Sequence, residues 1–271
     1  MWILLAIALL FLETHKKFAL GILLITVILA TYTHVLDWQA WLFFAGLLLV
    51  ALTSFRFGEN KLVRYGAEAL MFIAAIALMT HQIPGFHNVK VLDQVIAGPQ
   101  SVPFTMYYNF DKALTPFVLL VVMRSLFVSQ PSRQALRWQW LGLVLSVPAL
   151  LWLAVYFGGL KPERHLPQWL IQFAFANVFF VSLAEEALFR GYLQQRLAGW
   201  ISPFLALVLA ALLFGLMHIT GGILLVVFAS LAGLIYGLAW MWSGRLWVAV
   251  LFHVALNMLH LLFFTYPMLR H

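Results

Sequence analysis

The sequence predicts an all-α, polytopic integral membrane protein. Three observations carry that expectation. The 271 residues are 64% hydrophobic and only 9% charged, whereas a soluble domain is about 45–50% apolar and about 25% charged. Apolar segments near membrane length recur between polar breaks. Two glutamates, Glu185 and Glu186, close an apolar run that begins at Phe173. A charge at membrane depth costs roughly 2.5–3.5 kcal/mol on insertion scales, so a neighbouring pair demands a purpose.

Taken in order, Met1 to Leu12 is apolar but short for a span, has no basic start and no small-residue cleavage site, and is expected to be a tilted helix rather than a cleaved signal. Candidate spans follow at 18–35, 38–55, 66–81, 114–130, 138–158, 167–197, 202–219, 222–242 and 246–265. With the first segment, about nine or ten transmembrane helices are expected. Pro148 falls inside the 138–158 segment and is expected to kink it. Glu68 is read near a helix start, where a carboxylate suits the dipole. The stretch 81–115 carries Pro84-Gly85, Gly98-Pro99 and Pro103 and reads as a loop with a short amphipathic piece on the membrane surface.

Basic residues alternate by side. Lys16, Lys17, Arg56, Lys61, Arg64, Arg124, Arg133, Arg137, Arg190, Arg196 and Arg245 fall on one face, and Lys90, Lys112, Lys161, Arg164 and Arg270 on the other. The richer face is expected to be cytoplasmic. The net charge of +7 is therefore read as membrane topology and contact with anionic lipid, not as a nucleic-acid footprint. The chain has no cysteine, which removes disulfides and thiolate metal sites. The break Lys161-Pro-Glu-Arg-His-Leu-Pro167 divides an N-terminal multi-span region, 1–160, from a C-terminal domain, 161–271, which holds nearly all the polar residues at membrane depth.

Three polar clusters stand out in that second domain. In the first, Glu186 and Arg190 are four apart and would pair on one face of an α-helix, leaving Glu185 about 100° away. A structural ion pair accounts for Glu186 and Arg190 but not for the second carboxylate. The second cluster, Phe214-Gly-Leu-Met-His218, ends the next span; a lone histidine there is more often a satisfied core residue than a functional one. The third is His253-Val-Ala-Leu-Asn257, with both side chains on one helical face and His260 continuing the stripe. Asparagine there also serves as interhelical glue. The turn at Gly199–Pro203 lies midway between Glu185 and His218, so equal rises would put them level across a helical hairpin. His253 would lie about 13 Å into the membrane, counted from the turn at Ser243-Gly244.

A carboxylate beside an imidazole in a low-dielectric pocket is a general-base arrangement that activates water. A histidine and an asparagine on one face supply oxyanion donors. The alternatives are a proton- or ion-coupled transporter, which uses intramembrane Glu, His and Arg relays, and a catalytically silent scaffold or immunity protein. No convincing repeat relates the two halves, which disfavours a transporter.

Glu-Glu-x-x-x-Arg at 185–190, Phe-x-x-x-His at 214–218 and His-x-x-x-Asn at 253–257 resemble the three motifs of the CAAX-protease and bacteriocin-processing intramembrane proteases, the group that includes the Ras-converting CAAX endopeptidases. The resemblance covers about residues 165–265. It implies an intramembrane endopeptidase acting on a peptide or protein substrate, lipidated or not, in a multi-pass protein of the bacterial inner membrane. It also implies roles: Glu185 activates water with help from His218, Arg190 holds Glu186, and His253 with Asn257 supports the oxyanion. No obligate metal is expected. Were Zn²⁺ used, Glu185, His218 and His253 would be its ligands.

Overall fold

A computed structural model describes residues 1–270. Helices dominate in chain order: α1 (Trp2–Phe11), α2 (Lys16–Tyr32), α3 (Trp38–Phe57) and α4 (Lys61–Met79). Next come β1 (Val89–Val95), β2 (Phe104–Tyr108), α5 (Phe110–Ala113), α6 (Thr115–Val122) and α7 (Arg137–Tyr156). The last four are α8 (Leu170–Ala198), α9 (Pro203–Leu216), α10 (Ile223–Ser243) and α11 (Leu246–Phe263).

Among the described residues, six helices are long and apolar enough to cross a membrane: α3, α4, α7, α8, α10 and α11. At 1.5 Å per residue, twenty residues reach about 30 Å, the thickness of the hydrocarbon core. Only Ala40 of α3 is buried, while Leu42, Leu48, Leu49, Leu52 and Phe55 are exposed. Such an apolar surface belongs against lipid. The protein is thus a multi-pass, mostly helical membrane protein.

Local chemistry sets several helix ends. Asp37 caps α3, its Oδ1 accepting from Gln39 N at 2.8 Å, and Asn60 caps α4 by accepting from Leu62 N at 2.9 Å. The Gln39 N–H holds the Asp37 carboxyl below the usual carboxylate range. Ser202 caps α9, with Pro203 in the first turn where its missing N–H costs nothing. Gly244 ends α10 in the left-handed conformation, φ 64°, which only glycine adopts without strain.

Three expectations are corrected. The segment 114–130 is not a span: α6 stops at Val122, and Met123 leaves it in an extended conformation. The stretch 81–115 holds a two-stranded sheet, β1–β2, where a surface-lying amphipathic piece was expected. Glu68 lies two turns inside α4 rather than at its start, because Asn60 begins that helix.

The described chain forms two compact units. The first comprises Met1–Val89, Tyr107–Leu126 and Phe179–Leu188. In it α1 packs on α2, and α4 on both α3 and α6. The Trp2 ring meets Tyr108, Phe110 and Phe180 at 5.4, 6.0 and 5.5 Å. Asp111 is buried and satisfied by His81 Nδ1 at 2.6 Å, Asn88 Nδ2 at 3.0 Å and Lys112 N at 2.8 Å.

The second unit comprises Lys90–Met106, Phe127–Val178 and Phe189 onward. Here α10 packs on α7, α9 and α11. Three irregular segments are stitched at one end. Glu163 accepts from Gln100 N at 2.9 Å and from Ser101 Oγ at 2.6 Å, and Ser101 Oγ accepts from Tyr266 N at 2.9 Å. Burial pushes the Tyr266 phenol up. A second clamp ties Ser129 N to Gly244 O and Leu246 N to Phe127 O, both at 2.9 Å.

Candidate active site

The helix α8 carries the glutamates, and it is not α-helical throughout. Residues Asn177–Ser182 and Ala187–Gln194 are π-helical, flanking a short α segment, Leu183–Glu186. Such i→i+5 stretches concentrate at functional sites because they cost backbone stability. The backbone from Ala187 onward therefore turns more widely than the α-helix assumed for the i,i+4 spacing of Glu186 and Arg190. Glu185 and Glu186 themselves lie in the α segment, within the first unit, where that segment packs against α5 and α6. Glu186 is fully buried and Glu185 half-buried.

Arg190, His218, His253 and Asn257 belong to the second unit. Arg190 is the largest fully buried side chain, at 0% exposure. A guanidinium out of water persists only where its hydrogens and charge are met. Its Nη2 donates to Gly233 O at 3.0 Å, and its Cζ lies 4.5 Å over the Phe214 ring and 5.2 Å over Tyr236, within cation–π range. One turn on, Gln194 Nε2 donates to Gly237 O, also at 3.0 Å. Both carbonyls use the second lone pair left by the helical ladder. The two rungs fix the 190–194 stretch against α10.

Glycine makes that approach feasible. A Cβ on Gly233 would lie 3.0 Å from Ala211 Cα and 3.1 Å from Arg190 Nη2, and one on Gly237 would meet Leu207 and the Gln194 amide. The Gly-x-x-x-Gly at 233–237 is thus an internal packing seam of α10 with α9 and with Arg190 and Gln194.

His218 lies just past the end of α9 rather than on it, in the turn that starts a short 3₁₀ segment. Its Nδ1 donates to Phe214 O at 3.0 Å. A carbonyl only accepts, so Nδ1 carries a proton and Nε2 is the ring nitrogen left for another partner. Phe214 binds the cluster together: its ring meets His218 at 5.0 Å, Tyr236 at 6.0 Å and His253 at 5.9 Å. His253 is 5% exposed and stacks on Tyr236 at 4.6 Å with 12° between planes.

His253 and Asn257 share one face of α11, which is α-helical as expected. Asn257 Nδ2 donates to Asn177 Oδ1 at 2.8 Å, and Asn177 Nδ2 donates to Phe173 O at 3.0 Å. His260, which continues the stripe, is engaged elsewhere: its Nε2 meets Thr265 O at 3.0 Å. Asn177, Tyr236 and Gln194 are the residues that reading the sequence did not single out. Asn177 carried a signal, a polar amide in an apolar run. Tyr236 carried none, because an aromatic in an apolar helix looks like core.

Among the described residues, no group of three or more His, Asp or Glu side chains is arranged to hold a metal ion.

The fold and these polar residues define a class: a multi-pass helical membrane protein with an arginine, two histidines and an asparagine among its C-terminal helices. Residues 167–259, about a third of the chain, match the family described as type II CAAX prenyl endopeptidase Rce1-like. All seven motif residues fall inside it. The family is one of proteases acting on peptide or protein substrates in membranes. No curated protein and no solved structure matches the chain.

Proposed function

We propose that the protein is an intramembrane endopeptidase that hydrolyses a peptide bond of a membrane-associated or C-terminal peptide. By the roles the family motifs imply, Glu185 takes a proton from water and His218 assists it. Arg190 steadies Glu186, and His253 and Asn257 donate to the oxyanion of the tetrahedral intermediate. After attack, the proton passes to the leaving amine and the carbon–nitrogen bond breaks. One observation carries this reading: all seven motif residues lie within the protease-family match, and Arg190, His218 and His253 gather around the ring of a fourth, Phe214.

The reading requires no serine or cysteine nucleophile. It requires no metal either. The substrate is a peptide, prenylated or not, and the location is a bacterial inner membrane. The test is cleavage of a panel of prenylated and unprenylated peptides by purified protein and by Glu185→Ala, each with and without chelator. Wild-type cleavage that survives chelation and falls by at least about 10²-fold in Glu185→Ala is expected. Cleavage unchanged in Glu185→Ala overturns the mechanism, and loss on chelation overturns its metal-free form.

A further inference from the structure

We infer that Tyr236 is a positioning residue: stacked face to face on His253, it fixes the plane in which that imidazole presents its nitrogens. The inference rests on the peptidase reading for what His253 does, but the stack itself is geometric.

A histidine has two side-chain torsions, and the second sets where Nδ1 and Nε2 point. For His253 two aromatic rings fix it together. Tyr236 lies 4.6 Å away and 12° from parallel, so the imidazole plane is held against a flat surface. Phe214 stands at 90° to the imidazole, 5.9 Å from it, and at 78° to Tyr236. Turning the imidazole would break the stack and drive its edge toward Phe214. Offset-stacked and edge-to-face pairs are the favoured aromatic geometries, so both contacts resist that rotation.

Tyr236 is itself immobilised. It is 1% exposed, the Arg190 guanidinium lies 5.2 Å over its ring, and Gly233 and Gly237 let neighbouring chain close in on either side of it along α10. A ring so confined transmits its orientation. Tyr236 therefore links Arg190 in the first motif to His253 in the third, although it belongs to neither. The stacking requires a six-membered aromatic face and not the hydroxyl, so phenylalanine should serve and an aliphatic side chain should not.

The experiment uses the full chain in lipid nanodiscs with ¹³Cε1-labelled histidine. Nine histidines give nine signals, and His253→Gln assigns the one that matters. Ring current from a stacked phenol should move the His253 Hε1 signal upfield of the unstacked histidines. The shift should persist in Tyr236→Phe and vanish in Tyr236→Leu. On a fluorogenic peptide ending in a farnesylated CAAX sequence, Tyr236→Leu should lower kcat on the order of tenfold with KM little changed, and Tyr236→Phe should restore it. An unshifted His253 signal in the wild type, a shift that survives Tyr236→Leu, or an equal kcat in Tyr236→Leu overturns the inference. The wild-type spectrum decides even if Tyr236→Leu fails to fold. A wild type that cleaves no peptide sinks the peptidase reading while the ring-current shift still reports on the stack.

Discussion

The Asn257 amide has one hydrogen committed before any substrate arrives, since it donates to Asn177 at 2.8 Å. Asn177 in turn is anchored on Phe173 O. Two amides in series thereby aim the remaining Asn257 hydrogen. Asn177→Ala removes the acceptor and leaves a poorly accessible donor unmet, which costs about 1–3 kcal/mol. The melting temperature in detergent should fall accordingly. A double-mutant cycle with Asn257→Ala should show a coupling of about 0.5–3 kcal/mol, and strict additivity would mean that the pair is incidental. The residue types of the site were legible at this scale because polar groups in apolar helices are conspicuous. Their partners were not: Asn177 and Asn257 are eighty residues apart, and no local pattern encodes such a meeting. Tyr236 lay further out of reach, because only packing separates a structural tyrosine from one that orients a histidine.

Between helices, backbone approach is the controlling quantity. Gly215 sits where α9 crosses α10, and a Cβ there would lie 2.6 Å from Val226 O and overlap Ser230 Oγ. The hydroxyl can turn aside; the carbonyl belongs to the helix ladder and cannot. Gly215→Ala should therefore destabilise by about 1–3 kcal/mol, as overpacking does. Gly142 in α7 has nothing within 4 Å of its would-be Cβ. Gly142→Ala should be neutral or gain up to about 1 kcal/mol from helix propensity. Paired thermal melts check both, and equal shifts would refute the steric account. Helix positions were readable from hydropathy and caps, as at Ser202-Pro203 and Gly244. What failed was instructive. The run 114–130 is apolar enough for a span, but its chain turns out of helix at Met123, and composition alone is blind to that. The sheet at 89–108 was hidden by neighbouring glycine and proline, which mark turns without saying what they connect.

For the whole molecule, sidedness is the property that charge should set. Arg133 and Arg164 are both exposed and precede and follow α7. The lysine and arginine distribution puts them on opposite sides of the membrane, with Arg133 inside. Arg190, counted toward the inner face in the sequence, is buried and drops out of that comparison. The absence of cysteine makes the test clean. In intact cells, Arg164→Cys should react with an impermeant maleimide and Arg133→Cys should react only after lysis. The reverse pattern would invert the topology. The helix α8 then has a consequence for how such a chain tolerates change in length. Its apolar composition suggests a segment indifferent to a residue more or less. Yet Arg190 and Gln194 each reach a carbonyl on α10 from a π-helical stretch. Deleting one residue between them would cut the spacing of Arg190 and Gln194 from four residues to three, while Gly233 and Gly237 stay four apart on α10. Both rungs could not survive that mismatch. In this helix, substitutions are negotiable and length is not.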